Sequence, residues 1–222
     1  MILYSYAPGT GGDHVVKLLS STADHAVVDR LVPNPNSLKY VEHDVLLGLA
    51  TAADVIQELN NLKSQGAGIV GCHYPKFYQN YPAVKIRATW TRDDVARTLT
   101  YRNLITVHFE TGVKFFYPDD HVVSLMMQYP GLSPRKKLLK FVQYYGLLDN
   151  TVNFGFEPFN IDRIFTMDFV NDLAQLAQRL GLQVDVNYVK QQHEIWLDQN
   201  PAQDFTLTQV VRYLEQPGRS WF

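Results

Sequence analysis

The spacing of short β-type runs constrains this fold more than any other feature. Met1–Tyr6, Ala67–Cys72, Ala83–Thr91 and Ile161–Met167 are apolar or β-branched runs of strand length. The order reads strand, helix, strand, strand, helices, strand, helices. Strands separated by helical segments predict a parallel sheet with helices packed on both faces. In such sheets ligands sit outside the carboxyl ends of the strands. Three strand ends here carry residues with chemistry: the glycine-rich turn Pro8-Gly9-Thr10-Gly11-Gly12, then His73 after Cys72, then Arg92 at the mouth of a helix.

The helices follow from apolar spacing and from their start and stop residues. Residues 14–21 read as a helix with Asp13 as its N-cap. Thr51–Gln65 is a helix that Gly66 ends. Asp93 or Asp94 caps a long helix toward Glu110, and Gly112–Pro118 breaks the pattern. Further helices are expected over Asp119–Gln128, from Pro134 to about Leu148, from Asp168 or Asn171 to Gly181, over Val184–Gln199 and over Thr206–Glu215. Pro33–Asn36 reads as a loop, and Asn150–Asn160 as an irregular connection.

A chain of 222 residues is long enough for one domain with a real core, so a single domain over 1–222 is expected. Its net charge of −2 supplies no global field toward nucleic acid or a membrane surface. Any basic site is local. The start, Met1-Ile2-Leu3-Tyr4-Ser5-Tyr6, lacks the basic and long apolar stretches of a signal peptide, and no apolar run reaches membrane-spanning length. The single Cys72 excludes an internal disulfide and a cysteine-based zinc site. A cytoplasmic location is expected.

Each candidate residue has two readings. A glycine turn entering a helix exposes N–H groups that attract phosphate or sulfate. It is equally a tight strand-to-helix turn that binds nothing. A nucleotide-hydrolysing loop ends in Gly-Lys-Ser/Thr, whereas Gly12-Asp13-His14 stands here, which disfavours a magnesium-dependent kinase. Asp13 competes with any anion at the helix start. His73, neutral at pH 7, can accept a proton from a hydroxyl, or be a structural histidine. Arg92 and Thr100 can hold a phosphate together, or Arg92 can pair with Asp93 or Asp94.

Taken in order, these blocks resemble the sulfotransferase family, which moves a sulfuryl group from 3′-phosphoadenosine 5′-phosphosulfate (PAPS) to a hydroxyl or amine. Pro8-Gly9-Thr10-Gly11-Gly12-Asp13 is similar to the family's phosphosulfate loop, Pro-Lys-Ser/Thr-Gly-Thr/Gly-Thr. Cys72-His73-Tyr74-Pro75 resembles its Thr-His-Leu-Pro block, and Lys85–Thr100 its 3′-phosphate block. Residues 161–172, followed by Leu180-Gly181-Leu182, resemble its late strand and helix start. Pro217-Gly218-Arg219-Ser220-Trp221 is faintly similar to its C-terminal region, whereas 110–160 shows no likeness.

The resemblance implies a P-loop-like, three-layer α/β fold, PAPS as co-substrate and no metal. It also implies His73 as general base, with Gly9, Thr10, Gly11, Gly12 and Asp13 at the phosphosulfate and Arg92 and Thr100 at the 3′-phosphate. The acceptor would be a small molecule or glycan, with no nucleic-acid or membrane partner; oligomeric state is left open. The family's loop lysine is Gly9 here, so a cation would have to come from Lys17, Lys76 or another basic side chain. Two other classes stay open: a catalytically inactive relative that serves as a binding or structural module, and a nucleotide or nucleoside kinase.

Overall fold

The structure, a computed structural model, describes residues 1–7, 9–20, 38–46, 48–99, 102 and 154–202, without the side chains of 40, 43 and 46. The expectations for Pro33–Asn36, for residues 103–148 and for everything after 202 lie outside it.

Strand β1 is Ile2–Ser5, β2 is Ile69–Cys72, β3 is Val84–Thr89 and β4 is Glu157–Asn160. They form one parallel sheet in the order β2-β1-β3-β4. The chain goes from β1 to a neighbour on one side, then to the neighbour on the other. The exit of β1 is therefore the point where strand order reverses. Ser5 lies in register with Cys72 on one side and Arg87 on the other. The glycine turn and His73 thus leave the sheet at one edge, and β3 runs two residues further to deliver Thr91 and Arg92.

Helix α1 is Gly12–Leu19, α2 is Lys39–Leu46 and α3 is Ala52–Ser64. Helix α4 covers residues 93–99. Helix α5 is Phe169–Arg179 and α6 is Val186–Gln199. A short 3-10 helix, Pro75–Tyr78, follows β2. The alternation of β1 sends its side chains to two cores. Ile2 and Tyr4 join Val15 and Val16 of α1, Phe169 and Leu173 of α5 and Val189 of α6. Leu3 joins Leu38 and the α3 residues Val55, Leu59 and Leu62. Both faces of the sheet are covered, and the fold class is α/β.

Three boundaries differ from the sequence expectation. Asp13 does not cap α1. Gly11 holds the cap position in the left-handed region (φ 79°), with no side-chain bond, and Asp13 lies inside the first turn. The late strand is not Ile161–Met167 but Glu157–Asn160. The apolar residues Ile161 and Ile164 are three apart, which suits successive tight turns. Ile164 N–H donates to the Ile161 carbonyl (2.9 Å), and Thr166 N–H to that of Arg163 (2.8 Å). Pro158 obscures the true strand. Its missing N–H is tolerated because β4 is the last strand of the described sheet. Helix α2 has no counterpart in the sequence reading: it is eight residues long, and its apolar stripe is short, with Val41 and Val45 packing beside Leu38 against the α3 core. By contrast, Thr51 caps α3 as a capping box with Asp54, and Asp185 caps α6 by accepting from the N–H groups of Asn187 and Tyr188.

Candidate functional site

The loop after β1 is built by close packing. Gly9 and Gly11 both have positive φ, 74° and 79°. A Cβ on Gly12 would fall 1.8 Å from the ring of Tyr6, and one on Gly11 would meet Ile164 at 2.9 Å and Trp196 at 3.1 Å. These last two glycines are therefore required by the turn's own packing, whatever it binds. Thr10 is buried; its hydroxyl and its N–H both donate to the Ala7 carbonyl (2.6 and 3.2 Å). The first intrahelical bond of α1 runs from Val15 N–H to the Gly11 carbonyl (3.1 Å). The N–H groups of Gly12, Asp13 and His14 precede it, in the first turn, where the positive end of the helix dipole lies.

Tyr6 joins this loop to the end of β2. Its hydroxyl donates to Asp13, and its ring meets His73 edge-on at 4.9 Å. Asp13 also faces Lys39 of α2, with Nζ 3.7 Å from its carboxylate. His73 is held well below the ordinary histidine range, at about 3, first by burial and then by the positive charge of Lys39. It is a neutral imidazole at physiological pH.

Beneath His73 sits Glu42 of α2, fully buried. Its carboxylate accepts the N–H of His73 (2.9 Å), the N–H of Tyr74 (3.3 Å) and the hydroxyl of Tyr78 (2.7 Å). Burial pushes its pKa up to about 7, while the three hydrogen bonds pull the other way. Leu38 N–H donates to the Gly71 carbonyl (3.1 Å). Helix α2 is therefore pinned to β2 at two points, one on each side of Lys39. Sequence reasoning missed both Glu42 and Lys39. Neither belongs to a motif, and only tertiary placement brings them to the strand end.

Arg92 follows the end of β3, but its guanidinium turns to Asp94, with Nε at 3.1 Å and Nη2 at 2.6 Å from the carboxylate. That pair is exposed and holds Arg92 above its ordinary pKa. Asp162 fastens the ends of β3 and β4. It accepts the N–H groups of Thr91 (2.8 Å) and Arg92 (3.0 Å), the Thr91 hydroxyl and the Asn160 amide. The geometry thus brings the glycine loop and His73 together through Tyr6, whereas Arg92 lies on the far side of β1 with a partner of its own. Thr100 lies outside the described residues.

Aromatic and imidazole rings form the floor of the loop. His193 Nε2 lies 3.0 Å from the Thr166 carbonyl, which can only accept. Nε2 therefore carries the proton, Nδ1 accepts, and His14 Nε2 donates to it across 3.0 Å. Trp196 stacks on His14 at 4.7 Å, and the Arg102 guanidinium lies 5.5 Å from the Trp196 ring. Burial, then the neighbouring His193 and Lys17, holds His14 at about 3. Away from this edge, a groove of about 430 Å³ runs between β4 and α5. Of its charged residues, Arg163 pairs with Asp172 and Arg179 with Glu157, and the groove includes neither the loop nor His73.

Among the described residues, no group of three histidine, cysteine or acidic side chains is placed to hold a metal ion. None of their helices is long and apolar enough to cross a membrane. No family model, no curated protein and no solved structure matches this chain.

Proposed function

We propose that the carboxyl edge of the sheet binds a nucleotide phosphosulfate and transfers its sulfuryl group to an acceptor hydroxyl or amine, with His73 as proton acceptor. The observation that carries this reading is the juxtaposition of a positive helix end with a neutral imidazole at the reversal point of a parallel sheet. PAPS would lay its 5′-phosphosulfate along the N–H groups of Gly11, Gly12 and Asp13. The acceptor oxygen or nitrogen would attack sulfur as the bond from sulfur to the phosphate oxygen breaks. The acceptor proton would pass to His73, leaving 3′-phosphoadenosine 5′-phosphate.

At about 3, His73 is a weak base in the resting protein, and the role needs its proton affinity to rise when the ligand binds. An arriving anion raises the pKa of a neighbouring imidazole by favouring its charged form. Arg92 would have to leave Asp94 to reach a 3′-phosphate. Their ion pair is open to solvent and screened by it, so that exchange costs little. The test is turnover of PAPS with a panel of phenolic, sugar and amine acceptors. His73→Ala is expected to lower kcat at least about a hundredfold. Unimpaired turnover in that variant overturns the mechanism.

A second reading has its own observation. Asp13 stands at the loop mouth, hydrogen-bonded to Tyr6 and paired with Lys39. A carboxylate fixed there favours a catalytically inactive module of the same fold. That reading predicts no turnover with any acceptor.

A further inference from the structure

The glycine loop has no lysine of its own, and the nearby basic side chains on α1 and after β2 are directed elsewhere. Lys17 Nζ contacts the Gln192 side chain on α6 at 3.3 Å. Lys76 is exposed and lies 5.5 Å from the centroid of the Phe77 ring. Lys39 is placed differently. It comes from α2, is largely buried, reaches the first turn of α1 through Asp13, and is close enough to His73 for its charge to be felt there. The two anchors of α2 on β2, at Leu38 and Glu42, fix where its stem begins.

We propose that Lys39 is the positively charged residue that engages the phosphate of the leaving group, and that Asp13 is its counter-ion in the resting protein. The inference rests on the reading of this edge as an anion site and names the residue that supplies its charge. An arriving phosphate takes the place of the Asp13 carboxylate on Nζ, while Asp13 keeps its bond from the Tyr6 hydroxyl. Lys39 is paired in both states, with Asp13 before binding and with the ligand after it. The Asp13 carboxylate then opposes binding twice, by holding the ammonium and by repelling the anion.

The test is calorimetric titration of the full chain with inorganic pyrophosphate, repeated with 3′-phosphoadenosine 5′-phosphate. The proteins are wild type, Asp13→Asn, Lys39→Gln, the double variant and Lys39→Arg, each checked for an unchanged thermal transition. Lys39→Gln is expected to weaken pyrophosphate binding by about tenfold or more, the usual worth of one charge-assisted contact. Asp13→Asn is expected to tighten it, the gain shrinking in the double variant, and Lys39→Arg to stay near wild type.

Undiminished binding in Lys39→Gln overturns the assignment, as does an equal Asp13→Asn gain with and without Lys39. Failure of both wild type and Asp13→Asn to bind pyrophosphate at millimolar concentration also overturns it. If pyrophosphate behaves as expected while 3′-phosphoadenosine 5′-phosphate binds no better, Lys39 stands and the PAPS reading falls. If the nucleotide binds fully in Lys39→Gln, the PAPS reading stands and Lys39 falls.

Discussion

Replacing Glu42 with glutamine tests how the end of β2 is held. The fully buried carboxylate accepts three donors, so it is needed as an acceptor, yet burial raises its pKa from 4.5 to about 7. A group raised in the folded state stabilises fully below its unfolded pKa and loses that contribution as pH rises through the folded value. The shift from 4.5 to about 7 corresponds to about 3 kcal/mol lost by the wild-type protein between pH 4.5 and pH 8. The glutamine side chain does not titrate. Its amide must turn one NH2 toward a donor, which costs about 1–3 kcal/mol at low pH.

The deficit of Glu42→Gln against wild type, measured by urea unfolding, should therefore be largest near pH 5. It should shrink or reverse near pH 8, changing by about 1.4 kcal/mol per pH unit between pH 5 and 7. Other titrations are common to both proteins and cancel in the difference. A deficit that is the same at pH 5 and pH 8 refutes the reasoning, because it means that the carboxylate is ionised at both.

Three further outcomes follow from the same geometry. Gly12→Ala pushes a methyl group into the Tyr6 ring and should cost about 1–3 kcal/mol in thermal or urea unfolding, whereas a change under about 0.5 kcal/mol contradicts the packing. His14 is held neutral down to about pH 3, so below its unfolded pKa of 6.5 the unfolded chain binds the extra proton. Stability should fall on acidification from 6.5 toward 3, and His14→Phe should lower that slope by up to about 1.4 kcal/mol per pH unit; an unchanged slope contradicts the burial of His14 as a neutral ring. Asp162→Ala leaves the N–H groups of Thr91 and Arg92 to solvent and should cost about 1–2 kcal/mol, with faster amide exchange at residues 91 and 92. Unchanged exchange there contradicts the staple.

The parts of this fold that local chemistry dictates are readable in the chain. The Thr51 capping box, the stop at Gly181 and the three strands β1, β2 and β3 each depend on residues adjacent in sequence. The meeting of the glycine turn with the end of β2 is readable too, because parallel strands separated by helices must present their carboxyl ends together. Arg92 is ambiguous between phosphate and Asp94, and its pairing in the structure is the local one, two residues away. What is not readable depends on distant packing. Glu42 and Lys39 come from a short helix that docks on β2 through the Leu38 N–H and the Glu42 carboxylate as well as through Val41 and Val45. Likewise, Gly11 and Gly12 look like a phosphate cradle, but their side-chain space is already filled by Tyr6, Ile164 and Trp196. Strand β4 is hidden by Pro158, tolerated only because of where it lies in the sheet.

The most direct measurement is calorimetric titration of the full chain with 3′-phosphoadenosine 5′-phosphate, with AMP as control. Binding that requires the 3′-phosphate and weakens in Arg92→Ala is the result expected of a PAPS-using site at this sheet edge. No heat at millimolar nucleotide, or equal binding of AMP, contradicts it and leaves the fold as a scaffold whose loop mouth Asp13 has closed.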